Sequence, residues 1–158
     1  MPDADAFELD RFVTAQMPVF TNALAELKAG RKRSHWMWFI FPQLCGRGHS
    51  STATFYSISS LDEARAYLTH PTLGPRLTLC TQAVLGIRDS TLNAIFGSPD
   101  DLKFCSSMTL FSYAVGEPQS VFRQALDRYC EGGTDRRTVA LLGAERKGFE
   151  PAASARQS

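Results

Sequence analysis

Apolar residues recur at spacings of three and four along most of the chain, the period of helices with one face buried. Phe12, Val13, Gln16, Phe20, Ala23, Leu24 and Leu27 make one face of a first helical region. Pro18 interrupts it, so the region is either one kinked helix or two helices. Gly30 is placed to end it. Ser34 is placed to cap a short helix through Trp38, which Pro42 stops. Gly46 and Gly48 mark a loop, followed by a short helix over 51–57. Ser60 and Glu63 have the spacing of a capping box for a helix over 61–68. His70-Pro71 makes a corner with Tyr67, Gly74 and Arg76, and further helices are expected over 74–87 and from Ser90 to Gly97. In Ser98-Pro99-Asp100-Asp101 the serine reads as an N-cap, the proline as the first helical residue and the acids as first-turn residues. That helix should reach residue 113, with Gly116 ending it, and helices over 119–130 and 136–142 follow, the last with Asp135 and Thr138 as its cap and first turn.

No stretch alternates long enough to predict a strand. The pattern is that of an all-α fold: a single irregular, orthogonal array of about seven to nine helices over residues 7–143. Residues 1–6 and the polar, small-residue-rich stretch 144–158 read as disordered tails.

Composition narrows the classes. The chain has 158 residues, 44% hydrophobic and 21% charged, and a net charge of +1 from 17 basic and 16 acidic residues. That is enough chain to bury about 70% of its unfolded surface without a metal or disulfide. The near balance of charge argues against bulk binding to nucleic acid or membrane. The start is acidic and has no apolar signal-peptide core, and the longest strongly apolar run, 36–41, is too short to span a bilayer. A cytoplasmic protein is expected. Cys45, Cys80, Cys105 and Cys130 are widely spread with no C-x-x-C pair, and read as reduced, partly buried thiols. His35, His49 and His70 lack the spacing of metal ligands, so no metal or cofactor is expected.

The densest chemistry lies in residues 30–43. Arg31, Lys32 and Arg33 lead into His35, Trp36 and Trp38, with Gln43 beyond. Arginines can fork onto phosphate oxygens, indoles can stack on a base, and His35 can move a proton near neutral pH. The same residues also suit a helix C-terminus, where cations oppose the macrodipole, followed by aromatic anchors of a core. A second group is Lys103 with Ser106, Ser107 and Thr109, where a helix sets the ammonium beside the two serine hydroxyls. These can hydrogen-bond an oxyanion, or back-bond to helix carbonyls and allow close packing. Gly46-Arg47-Gly48-His49-Ser50-Ser51 before a helix is a weak anion-loop signal, and no Walker A sequence is present.

Three runs carry a family resemblance. They are Gly30 to Trp38 with Phe41-Pro42-Gln43; Glu63-Ala64-Arg65-Ala66-Tyr67-Leu68 with His70-Pro71 and Leu73-Gly74-Pro75-Arg76-Leu77; and Ile95-Phe96-Gly97, Asp101 and Lys103 with Ser106-Ser107-Met108-Thr109-Leu110-Phe111. Together they resemble the bacterial domain of unknown function family 1810. The resemblance implies a mainly α-helical single domain and supplies no activity. Some members are labelled calpastatin, whose inhibitory segments are disordered until bound; the apolar content and helix caps here are those of a folded domain. Cys45 and Gly46-Arg47-Gly48 depart from the leucine- and glycine-containing loop expected there.

The residues suggest binding of a phosphate-bearing small molecule, a nucleotide or ADP-ribose-like compound, with hydrolase or transferase chemistry as an extension. Lys32, Arg33 and Lys103 would hold anionic groups, Trp36 and Trp38 would stack, Gln43, Ser106 and Ser107 would hydrogen-bond, and His35 would be the acid or base. The alternative is a non-catalytic module that binds a protein partner.

Overall fold

Pro18 splits the first apolar region into two helices. The computed structural model describes residues 6–46, 50–131 and 133–146. Among them are ten helices and no strand: α1 (Asp10–Gln16), α2 (Phe20–Lys28), α3 (Met37–Ile40), α4 (Ser51–Phe55), α5 (Leu61–Thr69), α6 (Leu73–Leu85), α7 (Leu92–Phe96), α8 (Asp100–Val115), α9 (Val121–Tyr129) and α10 (Arg136–Arg146). The all-α reading stands. The count exceeds the expected seven to nine because α1 and α2 are separate helices. Helix α10 runs past residue 142 to Arg146. Of the tails expected at 1–6 and 144–158, residues 1–5 and 147–158 lie outside the described residues, as do Arg47, Gly48 and His49.

Helix α8 is the axis of the fold. It packs on α5, α7, α9 and α10, so most of its surface is interior. Phe104, Met108, Leu110 and Phe111 supply the apolar bulk, while Ser106, Ser107 and Thr109 are buried among them. Small hydroxyl residues let neighbouring helices approach, and two of the three satisfy their oxygens locally. Ser106 Oγ donates to Leu102 O at 3.1 Å and Thr109 Oγ1 to Cys105 O at 2.8 Å.

Rings connect the helices. Phe41 packs edge-on against Phe104 at 5.1 Å and Phe96 at 6.0 Å, and Phe96 stacks on Phe104. A second chain of rings runs Phe12–Tyr67–Phe111–Phe122 at 5.2, 5.4 and 5.7 Å. Met37, Ile40 and Phe41 are therefore core anchors.

Arg11 closes the amino-terminal side. Its guanidinium donates to the carbonyls of Phe7, Glu8, Phe55 and Ser57 and pairs with Glu63 Oε2 at 2.9 Å. The other Glu63 oxygen accepts from Ser59 N and Ser59 Oγ. Only one arm of the expected capping box therefore forms: Ser60 Oγ accepts from Glu63 N at 3.1 Å, while the Glu63 carboxylate is engaged by Ser59 and Arg11. Ser60→Ala should lower stability by about 1 kcal/mol in urea unfolding, the usual cost of a lost N-cap.

Three other expectations change. Ser34 caps nothing, because its hydroxyl donates to Glu26, and Trp36 occupies the cap position of α3 without a side-chain cap bond. Ser98 is not the cap of α8; the Ser98–Pro99 peptide is cis, Pro99 sits at the cap and the helix begins at Asp100. Cys105 and Cys130 are not reduced thiols but a disulfide, with Cα atoms 6.1 Å apart, joining α8 to the residue after α9. Sequence spacing missed it because the partners are 25 residues apart and meet only through the α8–α9 hairpin. Cys80 is buried, which pushes its thiol up to about 12, and Cys45 is exposed.

Candidate functional site

Helix α2 ends in a Schellman turn that aims the basic run. Arg31 N donates to Glu26 O and Gly30 N to Leu27 O, and Gly30 has φ +90°, a conformation a side chain would strain. The turn folds the chain back over the last turn of α2, where the Glu26 side chain collects it. One carboxylate oxygen accepts from Arg33 N at 2.8 Å, Ser34 N at 3.0 Å and Trp36 Nε1 at 2.8 Å; the other accepts from Ser34 Oγ at 2.6 Å. Burial alone would raise the Glu26 carboxyl, but the four hydrogen bonds outweigh it and bring it to about 2.

Lys32 is held by its backbone, which donates to Ile95 O at 2.7 Å. Its ammonium lies 2.9 Å from Asp100 Oδ2, while Lys103 Nζ lies 3.1 Å from Asp100 Oδ1. Each ammonium sits over an indole: Lys32 over Trp36 at 5.2 Å and Lys103 over Trp38 at 4.0 Å. Burial works to raise the Asp100 carboxyl, yet hydrogen bonds from and charges on both lysines hold it below the ordinary carboxylate range. Two cations sharing one anion leave one net positive charge, at a place floored by aromatic rings.

The chain matches the model of a protein family of unknown function, DUF1810, over residues 6–142. It belongs to that family. The DUF1810 fold is also seen in a crystal structure of the conserved hypothetical protein Rv1873 from Mycobacterium tuberculosis. That protein is 57% identical, with a TM-score of 0.86 over 88% of this chain and 99% of the other. No curated protein matches the chain.

In this DUF1810 domain, Lys32, Trp36, Trp38 and Lys103 come together around Asp100, although they lie in separate motifs. Trp36 is wholly buried, with its N–H on Glu26 and Lys32 over its ring, so it supports the site from beneath. Trp38 is half-buried, and Arg33 and His35 are exposed on the loop. Ser106 is turned into helix packing by its bond to Leu102 O. Ser107 Oγ is buried without a hydrogen-bond partner among the described residues. Gln43 is buried beside the parallel bridge Leu44–Ile58, where its carbonyl accepts from Ile58 N.

The sequence reading missed Glu26 and Asp100. Glu26 precedes its donors by seven to ten residues across a turn. Asp100 looked like an ordinary first-turn acid, and nothing in its neighbourhood along the chain names Lys32.

A separate cleft lies beside the disulfide. It has a volume of about 470 Å³ and is lined by Leu92, Leu102, Tyr129 and the Cys105–Cys130 disulfide, with charged groups at Asp101, Glu131, Asp135 and Arg136. Asp101 is next in sequence to Asp100, but it accepts from Leu102 N and Asn93 Nδ2 rather than from the lysines. No described helix is long and apolar enough to cross a membrane.

Proposed function

We propose that this domain is a cytosolic binder of a phosphate-bearing small molecule, nucleotide or ADP-ribose-like, at the surface around Lys103 and Trp38. The observation that supports it most is the pair of ammonium groups converging on the single carboxylate of Asp100 above two indoles. Lys32, with its side chain 8% exposed, is a fixed interior charge, whereas Lys103 at 23% is the cation a ligand can reach. Arg33 adds a second reachable cation, and its fork suits a phosphate better than an ammonium does. Trp38 is the ring left for stacking, and any hydrolase or transferase step would fall to exposed His35.

The test is a thermal-shift and calorimetric panel of inorganic phosphate, ADP and ADP-ribose. A ligand at about 100 times its dissociation constant stabilises by roughly 2.7 kcal/mol, which for this size raises the midpoint by about 5–10 °C. The shift should vanish in Lys103→Ala and fall in Arg33→Ala, with Arg31→Ala as the control cation outside the Asp100 cluster. No shift from any compound would sink the reading and leave the protein-interaction module, to be pursued by cross-linking with a partner.

A further inference from the structure

We propose that Cys105 and Cys130 form a thiol–disulfide exchange site, served by the adjoining cleft, whose substrate is a low-molecular-weight thiol carrying an amine. The bond is reachable. Both cysteines are half-buried rather than enclosed, and both line the cleft of about 470 Å³. A small thiol fits such a volume, and attack on a disulfide needs an open path to one sulfur.

The fold does not depend on the bond. Helices α8 and α9 already form the most extensive helix pair, with Phe122 against Phe111 at 5.7 Å and Leu126 fully buried. A chain of this length also buries a sufficient core without cross-links. The bond can therefore open and close on a folded protein. If the domain works in the cytosol, as proposed above, a disulfide there belongs with transient or redox-sensing bonds rather than permanent staples.

The lining selects the thiol. Among the described lining residues, three carboxylates, Asp101, Glu131 and Asp135, stand with one cation, Arg136, so this lining is net negative. Carboxylates repel a thiol bearing a second negative charge and attract one bearing an ammonium. In the first step the thiolate attacks one cysteine sulfur, the Cys105–Cys130 bond breaks, and the other cysteine leaves as a thiolate that takes a proton from water. A second small thiol then attacks the mixed disulfide, releasing the small-molecule disulfide and the second cysteine. Two thiols are oxidised, one protein disulfide is reduced, and the small disulfide reverses the reaction.

The experiment uses native full-length protein with Cys45 first blocked by iodoacetamide, and cysteamine, 2-mercaptoethanol and 3-mercaptopropionate as probes. Acid-quenched mass spectrometry follows the mixed disulfide and the dithiol, and each rate is divided by that on urea-unfolded protein to remove intrinsic reactivity. The expected result is complete reduction with the helical circular dichroism retained, reoxidation by cystamine, and a several-fold preference for cysteamine over 3-mercaptopropionate that fades in high salt. A native disulfide that resists all three thiols yet exchanges when unfolded would overturn the proposal. So would loss of helicity on reduction, or alkylation of Cys105 and Cys130 in the air-purified native protein. Equal normalised rates for the three probes would overturn the assignment of an amine-bearing substrate. These outcomes are independent of phosphate binding at Lys103, which the ligand panel reads separately.

Discussion

Gly74→Ala should destabilise the domain by about 3 kcal/mol or more, at the upper end of what overpacking costs. The sign is informative, because Gly74 lies in the first turn of α6, where alanine ordinarily improves helix stability by up to about 1 kcal/mol. Here an added Cβ would stand 2.0 Å from Leu68 O and 2.9 Å from Leu68 C. Those atoms are backbone near the end of α5, so no side-chain rotation relieves the clash. The α5–α6 corner is also fixed at its tip. His70 Nδ1 accepts from Thr72 N and Leu73 N, and Pro71 follows an extended His70. Relief therefore requires the two helices to part, disturbing Tyr67 and Leu77, both of which are in the core. For a domain of this size the midpoint of thermal unfolding should fall by about 6–12 °C. A midpoint unchanged or raised would show that the corner yields.

The second large effect belongs to Glu26. Glu26→Ala removes the acceptor of four hydrogen bonds and leaves the Trp36 indole N–H in the interior without a partner. The cost should be about 3 kcal/mol. The same carboxylate makes stability depend on pH. Folded, it binds its proton only near 2; its ordinary value is 4.5. The unfolded chain thus takes up the proton first as pH falls, and acid favours unfolding. The contribution is fully present above about pH 5 and is lost as pH falls towards 2. A shift of that size corresponds to about 3 kcal/mol, which solvent screening at a half-buried group reduces to about 2. Urea unfolding of wild type and Glu26→Gln should therefore differ most near neutrality and converge towards pH 2. A gap that stays constant over that range would show that the hydrogen bonds act without the charge.

Local signals made most of the fold legible. Period-3.6 apolar spacing located the helices, and Ser60, Gly30, Gly97 and Gly116 marked ends that the structure places within a residue or two. What sequence could not show was pairing at a distance. Glu26 gathers a loop that follows it across a turn, Asp100 joins Lys32 to Lys103 over nearly seventy residues of chain, and Cys105 finds Cys130 only because α8 and α9 lie side by side. The grouping of Lys32, Trp36, Trp38 and Lys103 was legible as chemistry but not as arrangement. Residue types revealed which groups seek partners, while packing decided that Trp36 faces inward and that Ser106 bonds its own helix.

Arg11 gives the chain an unusual boundary. First helices of domains commonly fray, since they have neighbours on only one side in sequence. Here α1 cannot lift away without surrendering three bonds from one guanidinium, to residues 55, 57 and 63 together. Opening α1 therefore means opening the end of α4 and the start of α5 as well. Among the described residues, α1 has no separate low-energy step: the first turn of helix melts with the middle of the fold.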